Sequence, residues 1–366
     1  MAASRNIPQK KPTIAMVAAE AGVAVSTVSR FLNGHYVSPE VRARLAQVIQ
    51  RLGYSRSWTA RNLSLGRRGS IGVVVDSIED PWFVQVLLGI EEELAGRDSS
   101  LMLASLELLG RYDPARVFEW IRDHRVDGLI LAKTQRRDRP ILHAASEARL
   151  PVVAMAPDEK LADVQVLQCN NVEAGMLLAE HLVDLGHTRI AFAGGPTHSI
   201  DSRHRLRGLR EGLARRRLRL DPALVYSCGS WELEAGTAFA QSLLGRPLPM
   251  TAIVFANDAL ALGFLRVAHE RGIRVPDDVS VAGFDGLPLG TISWPSLTTV
   301  AQPIRDMGRV ACRRLFEAIA QPGSVEQIQF RMTLVPREST GTARAVGRPR
   351  LQPVPRPGSA ATGEPS

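Results

Sequence analysis

The sequence predicts an α/β protein in which a small all-helical head precedes a two-lobed core of parallel sheets, and three observations carry that expectation. Charge is the first: residues 1 to 70 hold 11 basic and 2 acidic side chains (+9), whereas 71 to 340 hold 30 and 34 (−4). Periodicity is the second, because apolar residues recur at helical spacing as far as Leu52, and beyond it short apolar runs alternate with helical stretches. Length is the third: 366 residues, 45% of them hydrophobic, can bury a large core and exceed one usual domain.

In the head, residues 1 to 11 are polar and predicted to be disordered, without the apolar stretch of a secretory signal. Thr13 is placed to cap a helix whose stripe is Ile14, Val17, Ala18 and Ala21, and Gly22 to end it. A second helix runs from Val25 to Leu32, burying Val28 and Leu32. The break between the two is so short that they must cross steeply, as in a helix-turn-helix. A third starts after Ser38 as N-cap, with Pro39 at its first position. It turns Val41, Leu45, Val48 and Leu52 inward and ends at Gly53.

From Ile71 onward the predicted strands are 71–75, 101–104, 129–131, 152–155, 190–193, 253–255 and 279–284, with helices between them such as 173–185 and 260–271. Strand–helix–strand repeats imply parallel sheets. Two such sets, divided near Asn170, make two lobes, and a ligand belongs where their strand C-terminal ends face each other. Polar and aromatic residues gather at those exits: Asp76-Ser77, Asp80-Pro81-Trp82-Phe83, Asn257-Asp258 and Gly283-Phe284-Asp285-Gly286. A carboxylate or amide beside an aromatic ring suits a polyol, with hydrogen bonds to hydroxyls and stacking on the apolar face. Turn and capping chemistry explains any single such residue equally well.

Several classes are disfavoured. Three scattered cysteines, Cys169, Cys228 and Cys312, encode neither a disulfide framework nor a zinc site. No phosphate loop, nucleophile elbow, HExxH or carboxylate pair is present, and Gly194-Gly195-Pro196 is too weak to mark a nucleotide site. No catalysis, cofactor or metal is therefore expected. No window approaches the roughly 20 apolar residues of a membrane span. A basic head on a mildly acidic body points to nucleic acid as partner. Arg215-Arg216-Arg217 reads instead as a helix end meeting solvent.

The run Thr27-Val28-Ser29-Arg30-Phe31-Leu32-Asn33-Gly34 resembles the recognition-helix signature of the lactose-repressor (LacI/GalR) family of bacterial transcription regulators. Thr13-Ile14, Val17-Ala18, Ala21-Gly22-Val23, Leu52-Gly53-Tyr54 and Ala60-Arg61-Asn62-Leu63 extend the resemblance. So do Pro295 to Val300 and Leu334 to Thr340 in the core, which is similar to periplasmic sugar-binding proteins.

The resemblance implies a cytoplasmic, nucleoid-associated homodimer that represses from a palindromic double-stranded DNA operator under control of a small-molecule effector, a carbohydrate. Base reading falls on Val25, Ser26 and Arg30, and phosphate contact on Thr27, Ser29 and Tyr36. Ala60 and Leu63 fall in a minor-groove hinge within 57 to 70, and Trp82, Phe83, Arg205, Trp231, Asn257 and Asp285 on effector contact. The head occupies 12 to 56. Lobe one is expected at about 71–169 and 301–326, and lobe two at about 170–300 and 327–340; the Pro- and Arg-rich stretch 341–366 reads as a disordered tail. The rival readings are a solute-binding module with no DNA function and a sugar-processing enzyme.

Chemistry agrees in kind with the resemblance. Arg30 can make a bidentate guanine contact, Val25 can pack on a thymine methyl, and Ser26 is permissive. Departures from the family pattern include Ala24 where a capping serine is usual, Met16 where an acid is usual, and Ser77 and Ala156 where aspartate is common in the cleft.

Overall fold

A computed structural model describes residues 12–32, 34–54, 68–108, 111–323 and 325–344. The chain forms two compact units, one ending at Gly69 and one beginning at Ser70.

The first unit holds α1 (Ile14–Ala21), α2 (Val25–Leu32) and α3 (Pro39–Leu52). Thr13 Oγ1 accepts the Met16 N–H (3.3 Å), and Gly22 leaves α1 at φ 62°, returning its N–H to the Ala18 and Ala19 carbonyls. The axes of α1 and α2 differ by 109°, the steep crossing the short break requires. Val17, Ala18, Ala21, Val28, Leu45 and Val48 form the core. Ser38 precedes α3 as expected but makes no side-chain cap bond. Pro39 at the first position has a fixed φ suited to a helix start and lacks an N–H that would have no partner within the helix.

The second unit contains two six-stranded sheets. In lobe one the strands are β1 (Ser70–Val75), β2 (Ser100–Ser105), β5 (Leu129–Leu131), β6 (Val152–Met155), β7 (Gln165–Cys169) and β13 (Gln327–Phe330), ordered β13-β7-β6-β5-β1-β2 and all parallel. A hairpin of β3 (Glu107–Leu108) and β4 (Arg111–Tyr112) stands apart. In lobe two they are β8 (Ile190–Gly194), β9 (Val225–Ser227), β10 (Ala252–Phe255), β11 (Ser280–Asp285), β12 (Thr298–Ala301) and β14 (Thr333–Val335), ordered β14-β12-β11-β10-β8-β9. Only β14 runs antiparallel to its neighbour in these two sheets. Helices cover the faces, so β1, β8, β10 and β11 are buried at every position and read as apolar runs, with Ser70, Ser280 and Asp285 only at strand ends.

The helices that matter for the cleft are α4 (Pro81–Leu94), α7 (Asn171–Asp184), α8 (Ile200–Arg215), α9 (Leu233–Leu243), α10 (Asp258–Glu270) and α12 (Ile304–Ala320); α5 (Ala115–Arg122), α6 (Arg139–Glu147) and α11 (Leu289–Ile292) complete the set in chain order.

Three expectations need correction. The last passage between lobes falls between Phe330 and Thr333, not at 326/327, because β13 pairs with β7 of lobe one. Its alternating, half-exposed Gln-Ile-Gln-Phe is an edge strand, without the apolar run that identified the others. The core starts at Ser70, whose hydroxyl donates to the Arg125 carbonyl (2.5 Å). The expected tail is ordered as far as Arg344: the His187 ring bonds the Gly341 carbonyl (3.0 Å), and the Ala343 N–H donates to the Leu185 carbonyl (2.8 Å). Most of these contacts use backbone groups, which leave no mark on side-chain periodicity.

Candidate functional site

Strand exits from both lobes converge on one small cleft. Asp80, Trp82, Lys133 and Ala156 line it from lobe one, and Asp201, Arg205, Trp231, Asn257 and Asp285 from lobe two, with Gln302 on the strand-to-helix passage after β12. The enclosed space measures about 40 Å³, far below the 300–1,000 Å³ usual for a ligand pocket. The side chains of the two lobes therefore leave little room between them in this cleft.

Local sequence sets each side chain. Asp80 caps α4, its carboxylate accepting the Trp82 N–H (2.9 Å), which orients Trp82 at the cleft floor. Asn257 caps α10 through the Leu260 N–H and donates its own amide to the Trp231 carbonyl (both 2.9 Å), tying the Trp231 loop to the end of β10. A Cβ built on Gly195 would lie 2.8–2.9 Å from three atoms of the Trp231 ring. Near-equal distances to three ring atoms place Gly195 over the ring face, so the Gly-Gly-Pro turn makes room for an indole laid flat against it.

The centre of the cleft is an ion pair. Arg205 Nη2 lies 3.3 Å from Asp285 Oδ1, with the two side chains only 4% and 8% exposed. The guanidinium also donates to Asn171 Oδ1 (2.8 Å) and to the Ala256 carbonyl, and sits over the Phe284 ring (4.8 Å). Gln302 Nε2 donates to Asp285 (2.5 Å), and Cys169 Sγ lies 3.5 Å from the Gln302 oxygen. Asp285 is held at φ 113°, a conformation that costs energy for a non-glycine residue and is found where a site over-determines it. Burial pushes its carboxyl upward, Arg205 pulls it down, and Asp80 raises it again.

Behind it Asp258 is buried, accepting the Thr299 hydroxyl (2.7 Å) and the Leu287 N–H (2.8 Å). Burial and then Asp285 push its pKa up strongly. An acid whose folded pKa is raised adds stability while protonated and loses it as pH rises through the folded value. Asp258→Asn is expected to flatten the decline of urea-unfolding stability from about pH 4 through neutrality. An unchanged slope would assign that titration elsewhere.

Of the expected effector contacts, Trp82, Arg205, Trp231, Asn257 and Asp285 meet in the cleft. Phe83 does not. It is 2% exposed and packs edge-on against Trp82, with ring centroids 5.2 Å apart at 87°, supporting that ring from within the core. One step along α4 turns a side chain by about 100°, so the neighbour of a lining residue points inward. Asp76 also lies off the cleft wall. It accepts from Gln135 (2.5 Å) and Arg137 (3.2 Å), and burial lifts its pKa to about 6.

Lys133, Asp201 and Gln302 were missed. Lys133 lies two residues beyond β5, where the strand-exit rule applies, and Asp201 one helical turn before Arg205. Gln302 carries no local signal. Among the described residues no His, Cys, Asp or Glu cluster could hold a metal, and no single helix is long and apolar enough to cross a membrane.

In the head, Val25, Ser26 and Arg30 form an exposed strip of α2 opposite buried Val28, with Thr27 and Ser29 half-buried and Tyr36 exposed on the following loop. Ala60 and Leu63 lie outside the described residues.

Residues 13–57 match the bacterial regulatory proteins of the lacI family, and 179–340 match the periplasmic binding protein-like domain. The chain is 32% identical over 327 residues to the ribose operon repressor of Escherichia coli strain K12, covering 88% of this chain and 97% of that one. Its fold matches a complex of the transcriptional regulator CelR with cellobiose at a TM-score of 0.67, with 31% identity over 90% of this chain and 99% of that one. It also matches the lac repressor dimer bound to operator and the anti-inducer ONPF at 0.77, with 26% identity over 91% and 100%. A helix-turn-helix head, a two-lobed core and a cleft at their strand exits thus come together with likeness to repressors over nearly the whole chain, and the protein belongs to the lacI family of bacterial transcriptional regulators.

Proposed function

We propose that this regulator is a cytoplasmic homodimeric repressor that binds a palindromic operator and is controlled by a carbohydrate seated in the interlobe cleft. The observation that carries the effector class is Trp231, an indole laid on Gly195 that shares the cleft lining with Asn257, Asp285, Arg205 and Asp80. An apolar plate and hydrogen-bonding groups in one cleft complement a sugar ring. Closure on the ligand couples its affinity reciprocally to that for DNA.

In the head, Val25, Ser26 and Arg30 read bases, Thr27, Ser29 and Tyr36 hold phosphates, and Ala60 and Leu63 enter the minor groove as an apolar wedge. Exposed apolar residues support pairing through the core. Ile292 (79% exposed) and Trp294 (80%) stand with Leu289 on lobe two, and Val84 and Leu88 on α4 of lobe one. Clustered exposed apolar groups of this kind mark association surfaces.

Selection of bound DNA from a random pool, with and without a panel of mono- and disaccharides, tests the reading. A two-fold symmetric sequence whose retention changes with one sugar is expected, and the absence of any sequence preference would overturn it. Arg30→Ala is expected to lose about 1–3 kcal/mol of discrimination at a guanine position. A uniform loss across all DNAs would make Arg30 a phosphate contact.

A further inference from the structure

Two cations line the cleft, and only Arg205 is paired with a carboxylate at ion-pair distance, whereas the charge of Lys133 acts at longer range on Asp76, Asp80, Asp158 and Asp285. Arg205 is held by Asp285, Asn171 and the Ala256 carbonyl. Lys133 has no hydrogen bond or ion pair among the described residues; its ammonium lies 4.6 Å from the centre of the Trp231 ring. Lys133 leaves β5 of lobe one at φ 65°, whereas Trp231 belongs to lobe two, so this contact spans the cleft. Gly195 covers one face of the indole closely enough to exclude even a methyl group. The ammonium therefore stands over the other face, the one a ligand ring would need.

We propose that Lys133 is a place-holder for the effector. Its ammonium occupies the free face of Trp231 and bridges the two lobes, and only a ligand that displaces it gains the stacking plate. Lys133 thus sets selectivity. With Arg205 and Asp285 neutralising each other, the remaining cleft charges are Asp80 and Asp201 against Lys133, a balance of one negative charge that disfavours phosphorylated and acidic sugars. An uncharged ring with one apolar face is the class that fits. This rests on the carbohydrate reading for the ligand's identity, but the latch itself is measurable with no ligand present.

The test uses the full-length protein free of sugar, with the Trp231 signal taken as the difference between wild type and Trp231→Phe. Cation–π contacts between partly desolvated groups bias an equilibrium roughly threefold to thirtyfold. Lys133→Met is expected to raise acrylamide quenching of Trp231 at least threefold and to increase the radius of gyration by small-angle scattering. Lys133→Arg, which can also stack on an indole, is expected to stay close to wild type. Unchanged quenching in Lys133→Met, or equal increases in both variants, would overturn the latch. Binding of D-ribose, D-glucose and cellobiose is then compared. Any of these that binds is expected to bind Lys133→Met threefold to thirtyfold more tightly, and weaker binding would overturn the place-holder role. Quenching as expected with no neutral sugar bound at all would retire the carbohydrate reading and leave the latch standing.

Discussion

Arg205→Met is expected to destabilise the core by about 3–5 kcal/mol, the usual consequence of removing one partner from a buried, hydrogen-bonded ion pair. Methionine keeps much of the apolar stem, so the loss falls on the guanidinium and on its place over Phe284. Asp285 is left without its cation among residues that already push its carboxyl upward, while Asn171 Oδ1 and the Ala256 carbonyl lose a donor. The pH dependence follows in sign. Without Arg205 the folded-state pKa of Asp285 rises further, so the variant's deficit should be smaller near pH 5 than near pH 8, where the stranded carboxyl must ionise. Asp285→Asn in the same chain should restore part of the stability, because the pair is coupled directly. Urea unfolding of the four proteins of this cycle measures all three effects. A deficit under about 1 kcal/mol with no pH dependence would mean that the ion pair does not organise the cleft.

Gly208→Ala is expected to cost about 1–3 kcal/mol through overpacking and to weaken effector binding although residue 208 does not line the cleft. A Cβ at Gly208 would lie 1.9 Å from the Val172 carbonyl oxygen, and one at Gly175 would lie 2.3 Å from the Arg205 carbonyl oxygen. Here α7 and α8 meet backbone to backbone, and no rotamer change can relieve the clash. The gain in helix propensity from Gly to Ala is about 1 kcal/mol and is outweighed. Forcing the helices apart also strains the Asn171–Arg205 hydrogen bond, which joins the same two helices. Gly245→Ala is the control: a Cβ there meets nothing within 4 Å. If Gly208→Ala proved as stable as Gly245→Ala, close packing of these helices would not be what positions Arg205.

Much of the fold was legible because burial leaves a local trace. Strands covered on both faces read as apolar runs, and the helices of the head announced themselves through Thr13, Gly22, Pro39 and Gly53. Strands without a continuous apolar run escaped. β9, β13 and β14 lie at sheet edges and alternate or expose polar residues, and β7 (Gln-Val-Leu-Gln-Cys) and β12 (Thr-Thr-Val-Ala) escaped although mostly buried, because polar side chains break their apolar runs. Such strands are held mainly by ladder hydrogen bonds that any side chain permits.

The same division runs through the site. The sequence by itself led one to expect cleft-facing residues at strand exits, the family resemblance pointed to Trp82, Arg205, Trp231, Asn257 and Asp285, all of which line the cleft, and helical spacing put Val25, Ser26 and Arg30 on one strip of α2. Tertiary structure decided which exit residues face the cleft: it turned Phe83 into the core, brought Lys133 of one lobe onto Trp231 of the other, and set Gln302 against Asp285. Periodicity and capping are properties of neighbouring residues along the chain, whereas the cleft is made of residues more than a hundred positions apart, such as Asp80 and Asp285, whose meeting depends on how two sheets and their helices pack.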